Sequence, residues 1–186
     1  MALKIEKTFA VQEPIDKVWE FLSDPRKVAT CVAGAHITEQ VDEKTYKGTI
    51  KVKVGPSVTD YTGEVEIVRL DTQNHEIEIL GKGQDVRGRG SASMKMTGKL
   101  RALPDGGTEV TSLSEIGVVG ILAQMGSRVI SEVSNIMFRE FTKNFQERLQ
   151  QPSEGTAGQA ASGDVRPIQA ASVAWEAAKG MFRKKS

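Results

Sequence analysis

The chain is poor in the residues that form crosslinks and bind metals, since its 186 residues include one cysteine and two histidines. A single thiol, Cys31, excludes an internal disulfide framework and any metal site made of cysteines alone. Neither His36 nor His75 has a cysteine or carboxylate at ligand spacing in its predicted strand. We therefore interpret both histidines as surface or structural residues and predict no metal site.

Long apolar runs and a strong net charge are also missing. Apolar residues make up 39% of the chain, and no apolar run approaches the ~18 residues of a membrane-spanning helix. The first residues lack the apolar core of a signal peptide, so we expect a cytoplasmic protein. A formal net charge of +1 gives no reason to expect a nucleic acid partner.

Phosphate-binding loops find little support in the sequence. Two short Gly-basic-Gly segments, 81–83 and 88–90, resemble such loops. Neither is followed by a predicted helix whose N-terminus would hold the anion. We interpret both as turns or strand bends without a nucleotide role.

The most regular pattern in the chain is a row of apolar residues at every fourth position from Ile121 to Leu149. This spacing predicts one amphipathic helix from Gly117 to Leu149, about 50 Å long. Steps of four residues drift around an α-helix, so the surface that covers it should be curved, as a twisted sheet is. The helix should end before Pro152, because the residue preceding a proline avoids the α conformation.

The preceding part of the chain alternates between apolar and polar residues, with two short helical interruptions. Residues 3–11 predict a strand, Pro14 opens a short helix, and Arg26–Cys31 forms a second helical turn. Six further strands follow at about 35–42, 45–54, 57–70, 74–83, 88–103 and 108–117. Their short connections imply antiparallel pairing.

These elements predict an α+β domain over residues 1–150. A seven-stranded antiparallel sheet wraps around the long C-terminal helix, and the two short helices after the first strand close one end. Curvature of the sheet leaves room between helix and sheet, where a ligand could sit.

The residues predicted to line that room are mostly soft and apolar. Methionine suits a variably filled cavity, although ordinary core packing is the alternative. Gly126 removes a side chain from the apolar face of the predicted helix. Tyr61 could donate a hydrogen bond to a ligand carbonyl or simply pack. The predicted ligand-binding set is Tyr61, Met94, Met96, Leu122, Met125, Val129, Val133, Met137 and Phe141.

The last part of the chain has a different composition. Residues 151–169 are small and polar, which predicts a flexible linker. Residues 170–186 predict a helix with an apolar face and clustered bases, suited to an anionic membrane surface. Docking on a protein surface, or disorder, is the alternative. The predicted membrane-binding residues are Trp175, Lys179, Met181, Phe182, Arg183, Lys184 and Lys185.

Four motifs carry a resemblance to a known family: Cys31-Val32-Ala33-Gly34-Ala35, Val54-Gly55-Pro56 followed by Gly63-Glu64-Val65, the segment Gly83 to Ser93, and Gly126-Ser127-Arg128. In this order they resemble the carbon monoxide dehydrogenase CoxG family of the SRPBCC or START-like helix-grip superfamily, which also includes Bet v 1-like proteins. The resemblance covers about residues 1–150. Ala33 stands where that family pattern has proline.

The resemblance implies a non-catalytic accessory protein of an aerobic molybdenum CO dehydrogenase or a related molybdenum hydroxylase. Its pocket would bind a respiratory quinone, menaquinone or ubiquinone. It would recruit the enzyme to the cytoplasmic face of the cell membrane for electron transfer to quinone. Two alternatives remain open: a polyketide cyclase or dehydratase-like enzyme on the same scaffold, and a membrane adaptor without a ligand.

Overall fold

The computed structural model describes residues 1–151, which form one sheet and four helices. The strands are antiparallel and lie in the order β1-β7-β6-β5-β4-β3-β2. The elements in chain order are β1 (Ala2–Val11), α1 (Ile15–Leu22), α2 (Pro25–Ala29), β2 (Ala35–Gln40), β3 (Thr45–Val54), β4 (Ser57–Asp71), β5 (Glu76–Asp85), β6 (Gly90–Ala102), β7 (Thr108–Gly120), α3 (Ile121–Gln124) and α4 (Ser127–Gln150).

The sheet has an inner face that α4 covers and an outer face exposed to solvent. Side chains alternate between the two faces, so directly paired residues on neighbouring strands share a face. Phe9 of β1 is paired with Val110 of β7, which is paired with Leu100 of β6. The Phe9 ring packs edge-on against Phe145 of α4 at 5.8 Å, which identifies this row as inner.

One end of the inner face is fully packed, and we call it the closed end. Phe145 is 0% exposed, and Leu149, Trp19 and Cys31 are also buried there. The Trp19 ring meets the His75 ring edge-on at 5.3 Å. Helices α1 and α2 therefore close this end, where the core supplies most of the apolar burial.

The long helix is shorter than its apolar spacing predicts. Helix α4 spans Ser127–Gln150 and is about 36 Å long. Residues 117–120 belong instead to β7, where the Val118 amide donates to the Met1 carbonyl. The predicted start at Gly117 is wrong because hydrogen bonds to β1 and β6 hold this stretch in the sheet.

A break also separates α3 from α4. Gly126 has a φ of +85°, which a helix cannot include and which glycine adopts without steric cost. No atom outside its chain neighbours lies within 4 Å of a Cβ built there. Gly126 therefore separates α3 from α4 as the N-cap of α4, and our interpretation of it as a gap in a helical face is wrong.

The predicted α+β helix-grip architecture is confirmed, with seven antiparallel strands, two short early helices and a long C-terminal helix. None of the helices in residues 1–151 is both long and apolar enough to cross a membrane. The predicted linker, 151–169, and the predicted membrane-binding helix, 170–186, lie outside the described residues apart from Gln151, which follows α4.

Candidate functional site

The half of the inner face opposite the closed end is not fully packed, and we call it the open end. It carries the β3–β4 and β5–β6 hairpins and the connection from β7 to α3. Leu3, Ile116 and Met94, which are paired in succession across β1, β7 and β6, are half-buried there, whereas Val54, Tyr61 and Val118 nearer the hairpins are buried. Apolar side chains that remain partly exposed inside a fold mark a candidate ligand site.

Helix α4 shows the same division along its length. Val129, Val133 and Met137 in its N-terminal part are half-buried, whereas Phe145 and Leu149 near its C-terminus are buried. The same helix face therefore completes a core at one end and borders incompletely filled space at the other.

A row of small residues crosses the inner face near the open end. Gly48, Gly63, Gly83 and Ala92 are paired in succession across β3, β4, β5 and β6. A Cβ at Gly63 would overlap the carbonyl oxygen of Lys82 on the neighbouring strand. Glycine is thus required there for the close approach of β4 and β5, and the row forms a low floor with no side chain larger than the methyl group of Ala92.

Tyr61 lies beside this floor. A Cβ built on Gly83 would lie 3.7 Å from the Tyr61 Cβ, so the tyrosine borders the space above that glycine. Tyr61 is 4% exposed, and its hydroxyl is buried with no hydrogen-bond partner in residues 1–151. A buried hydroxyl without a partner costs roughly 1–3 kcal/mol, so a ligand acceptor at this position would recover stability.

Asp85 is directly paired with Tyr61 and was not among the predicted site residues. Its side chain is fully buried and accepts hydrogen bonds from Arg89 Nη2 at 3.0 Å and from the Arg87 amide at 2.8 Å. The hydrogen bond from Arg89 is the main reason that the pKa of Asp85 is lowered. Burial raises the pKa of Tyr61, and the negative charge of Asp85 raises it further.

These shifts fix the protonation states of the pair near neutral pH. Asp85 is a carboxylate already bound by Arg89, and Tyr61 is a neutral phenol that can donate a hydrogen bond. Asp85 and Arg89 belong to the segment 83–93, which is one of the family motifs. Their position opposite Tyr61 depends on strand register, which the sequence pattern does not specify.

The structure divides the predicted ligand-binding residues into two groups. Met94, Val129, Val133 and Met137 are half-buried toward the open end, with Leu122 in α3 and Met125 at its C-terminus. Met96 and Phe141 pack instead against the core of the closed end. The Phe141 ring stacks on Phe145 at 5.8 Å. Their roles in ligand binding stay predictions.

Two depressions of about 320 and 830 Å³ are open troughs that border the outer face. The larger lies behind the small-residue row, with Lys47, Thr62, Lys82 and Ser93 among its lining residues. Within residues 1–151, no group of three His, Cys, Asp or Glu side chains is placed to hold a metal ion.

A seven-stranded antiparallel sheet packed against a long C-terminal helix is the helix-grip fold, which this chain shares with a START superfamily protein of known structure. Residues 8–150 match the family model for the CoxG subunit of carbon monoxide dehydrogenase. Because this match spans well over half of the chain, the protein belongs to the CoxG family, as its motifs predict.

Solved structures agree with this class. A conserved protein from Geobacillus kaustophilus superposes with a TM-score of 0.72 at 21% identity, covering 79% of this chain and 95% of that one. The ZhuI aromatase/cyclase from Streptomyces sp. R1128 superposes with a TM-score of 0.60 at 15% identity, covering 85% of this chain and 99% of that one.

A START superfamily protein from Mycobacterium smegmatis gives a TM-score of 0.54 at 11% identity, covering 80% of this chain and 97% of that one. At these identities the likeness of all three structures shows the fold alone. No curated protein matches the chain.

Proposed function

We propose that this protein is a non-catalytic accessory protein of an aerobic molybdenum CO dehydrogenase, or of a related molybdenum hydroxylase, and that it binds a respiratory quinone. The observation that carries the proposal is the half-buried apolar inner face at the open end, with the buried, unpartnered hydroxyl of Tyr61 beside it. Membership of the CoxG family supports the choice of enzyme partner.

The chemistry of a quinone suits this combination of groups. Its isoprenoid tail is insoluble, because each buried methylene contributes ~0.8 kcal/mol. Val129, Val133 and Met137 offer apolar surface for such a tail. The head ring carries carbonyl oxygens, which accept hydrogen bonds from a phenol such as Tyr61. When bound, the quinone supplies the electron-accepting chemistry, and the protein binds it, orients a carbonyl and excludes water.

The proposal includes recruitment to the cytoplasmic face of the cell membrane. In this view the predicted helix 170–186 tethers the protein to anionic lipid, so that a quinone can pass between the bilayer and a soluble dehydrogenase. A variant lacking residues 170–186 is expected to bind vesicles more weakly and to keep its ligand. Unchanged vesicle affinity in this variant would contradict the role of the tail.

An enzymatic role is the second candidate, favoured by the buried Asp85 and by the fold shared with an aromatase/cyclase. The protonation states of Asp85 and Tyr61 argue against this role. The hydrogen bond from Arg89 lowers the pKa of Asp85 and makes it a poor general base, while burial holds the proton on Tyr61. The pair is therefore better suited to donating a hydrogen bond to a ligand than to acid–base catalysis.

The proposal is tested by extracting lipid from the purified full chain and identifying it by mass spectrometry, after expression in two hosts with different quinones. We expect quinone from both hosts. Tyr61→Phe should lower the amount about fivefold, for a lost hydrogen bond of ~1 kcal/mol. Tyr46→Phe is the matched control, since Tyr46 is equally buried but its hydroxyl accepts from Gln40 Nε2 at 3.4 Å.

The absence of quinone from both preparations would contradict the proposal. It would favour an adaptor without a ligand. A polyketide-like molecule in place of the quinone would favour the enzymatic candidate.

A further inference from the structure

We infer that the open end of the folded domain is itself a docking surface for anionic lipid, separate from the predicted tail. The surface, which we call the open-end rim, consists of Lys53, Val58, Val86, Arg87 and Val119. It lies on the β3–β4 hairpin, the β5–β6 hairpin and the end of β7.

The charges of the open end are mostly positive. Segments 51–60, 85–90 and 118–128 contain five basic and two acidic side chains. Both acids have basic neighbours, since Asp85 is bound by Arg89 and Asp60 lies 4.0 Å from Lys51. Lys53, Arg87 and Arg128 form no ion pair within the described part of the chain.

The loops at the closed end have the opposite sign. Segments 12–16, 41–44, 71–75 and 103–107 contain six acidic side chains and one basic side chain. The loops at the two ends of the strands therefore carry net charges of opposite sign. An anionic surface attracts the open end and repels the closed end, which orients the domain as it approaches.

The rim also carries aliphatic side chains that are exposed to solvent. Val58, Val86 and Val119 are 48%, 57% and 63% exposed. Val58 is paired with Lys53. The Val86 amide donates to the Asp60 carbonyl at 2.9 Å, which places Val86 beside β4. Aliphatic groups flanked by bases are the combination that binds the interface of an anionic bilayer.

Exposed aliphatic residues alone do not identify such a surface. Val41 at the closed end is 46% exposed, but it is followed by Asp42 and Glu43. Acidic neighbours oppose contact with an anionic leaflet. Toward the closed end, Val68 and Leu70 are exposed on either side of Arg69, but this arginine is paired with Glu76 and Glu78. Exposed valines beside bases without an acidic partner in the described residues occur at the open end, which is why lipid fits that end.

Contact through the rim would bring the open end of the domain, with Tyr61 near it, to the bilayer surface. This arrangement would allow an apolar ligand to pass between the protein and the bilayer, and that role rests on the proposed function. The lipid contact itself does not.

The first test attaches an environment-sensitive fluorophore to Val86→Cys in the full chain, with Val41→Cys as the matched control in another exposed hairpin. Cys31 is fully buried and does not compete for the label. With phosphatidylcholine vesicles containing a quarter phosphatidylglycerol, we expect a blue shift and quenching by spin-labelled lipid at residue 86 and neither at residue 41. Vesicles of phosphatidylcholine alone should produce a much smaller response.

The second test neutralises charge at either end of the domain. Lys53→Gln with Arg87→Gln should weaken binding to the same vesicles about thirtyfold, at ~1 kcal/mol per base. Lys44→Gln with Lys143→Gln changes the net charge equally at the closed end and should have little effect. Equal losses for both pairs would overturn the inference.

Vesicle binding without a response at residue 86 would also overturn the inference, and would leave an acidic protein as the occupant of the rim. Quinone content, measured in the same preparations, separates this outcome from a failure of the proposed function. Quinone in a preparation that shows no fluorescence response at residue 86 would support the proposed function and contradict the inference that the rim binds lipid.

Discussion

Tyr61 and Asp85 face each other across strands β4 and β5, and both side chains are buried on the inner face of the sheet. Asp85 has its hydrogen-bond partners in Arg89 and the Arg87 amide, whereas the Tyr61 hydroxyl has none within residues 1–151. The fixed carboxylate helps keep the tyrosine protonated, because its charge opposes ionisation of the phenol. Because this pair includes a buried hydroxyl without a partner in the described residues, it is the first target for mutation.

Tyr61→Phe should change stability and ligand binding in opposite directions. Removing a buried hydroxyl without a partner is expected to leave the ligand-free protein unchanged or about 1 kcal/mol more stable. Urea unfolding of ligand-free protein measures this, with Tyr46→Phe as the control that loses an existing hydrogen bond. A clear loss of stability in Tyr61→Phe would indicate that its hydroxyl has a partner within the protein.

Asp85→Asn should destabilise the β5–β6 hairpin in a pH-dependent way. The folded-state pKa of Asp85 is lowered, so the carboxylate contributes stability above the ordinary aspartate pKa. That contribution is lost as pH falls through the lowered folded-state pKa. Urea midpoints of wild type and variant should differ at pH 7 and converge in strong acid. A difference independent of pH would exclude the charge of Asp85 as its cause.

The two ends of α4 should respond differently to truncation. Phe145 is buried completely, so Phe145→Ala should cost about 3–5 kcal/mol of unfolding free energy. Val133 is half-buried beside the open end, and Val133→Ala should cost less than ~1 kcal/mol. Chemical denaturation of both variants without ligand measures the difference. Equal costs would mean that the open end is packed as tightly as the closed end.

Two paired glycines should tolerate alanine to different degrees. Gly63→Ala places a Cβ against the Lys82 carbonyl and should cost roughly 1–3 kcal/mol. Gly83→Ala meets its neighbours at ordinary contact distances of 3.6 Å and above, so the fold should tolerate it. Because it raises the floor beside Tyr61, it should still reduce quinone content. Thermal unfolding and lipid extraction separate these effects.

The strands could be predicted well from their alternation. The predicted bounds 45–54 match β3, because a half-buried strand repeats every two residues. The start of α4 was misplaced, because the apolar residues from Gly117 to Met125 suit either a strand or a helix. The positive φ angles at Gly120, where β7 gives way to α3, and at Gly126, which separates α3 from α4, are not encoded in the apolar spacing.

The candidate site could be predicted only in part, for a related reason. Tyr61 and the apolar residues of α4 follow from local periodicity. The pairing of Asp85 with Tyr61, and the alignment of Gly48, Gly63 and Gly83, depend on the registers of three strand pairs. A shift by one residue would move each side chain to the other face.

The most direct test of ligand binding between the sheet and α4 is an NMR titration. The full chain, labelled on its methionine methyl groups, is titrated with a short-chain menaquinone. The methyl signals of Met94 and Met137 should shift and saturate together, because both residues are half-buried toward the open end. Met1 borders the trough on the outer face and serves as the internal control. Saturable shifts at Met94 and Met137 with Met1 unchanged are the predicted result; unchanged signals at Met94 and Met137 would contradict the account.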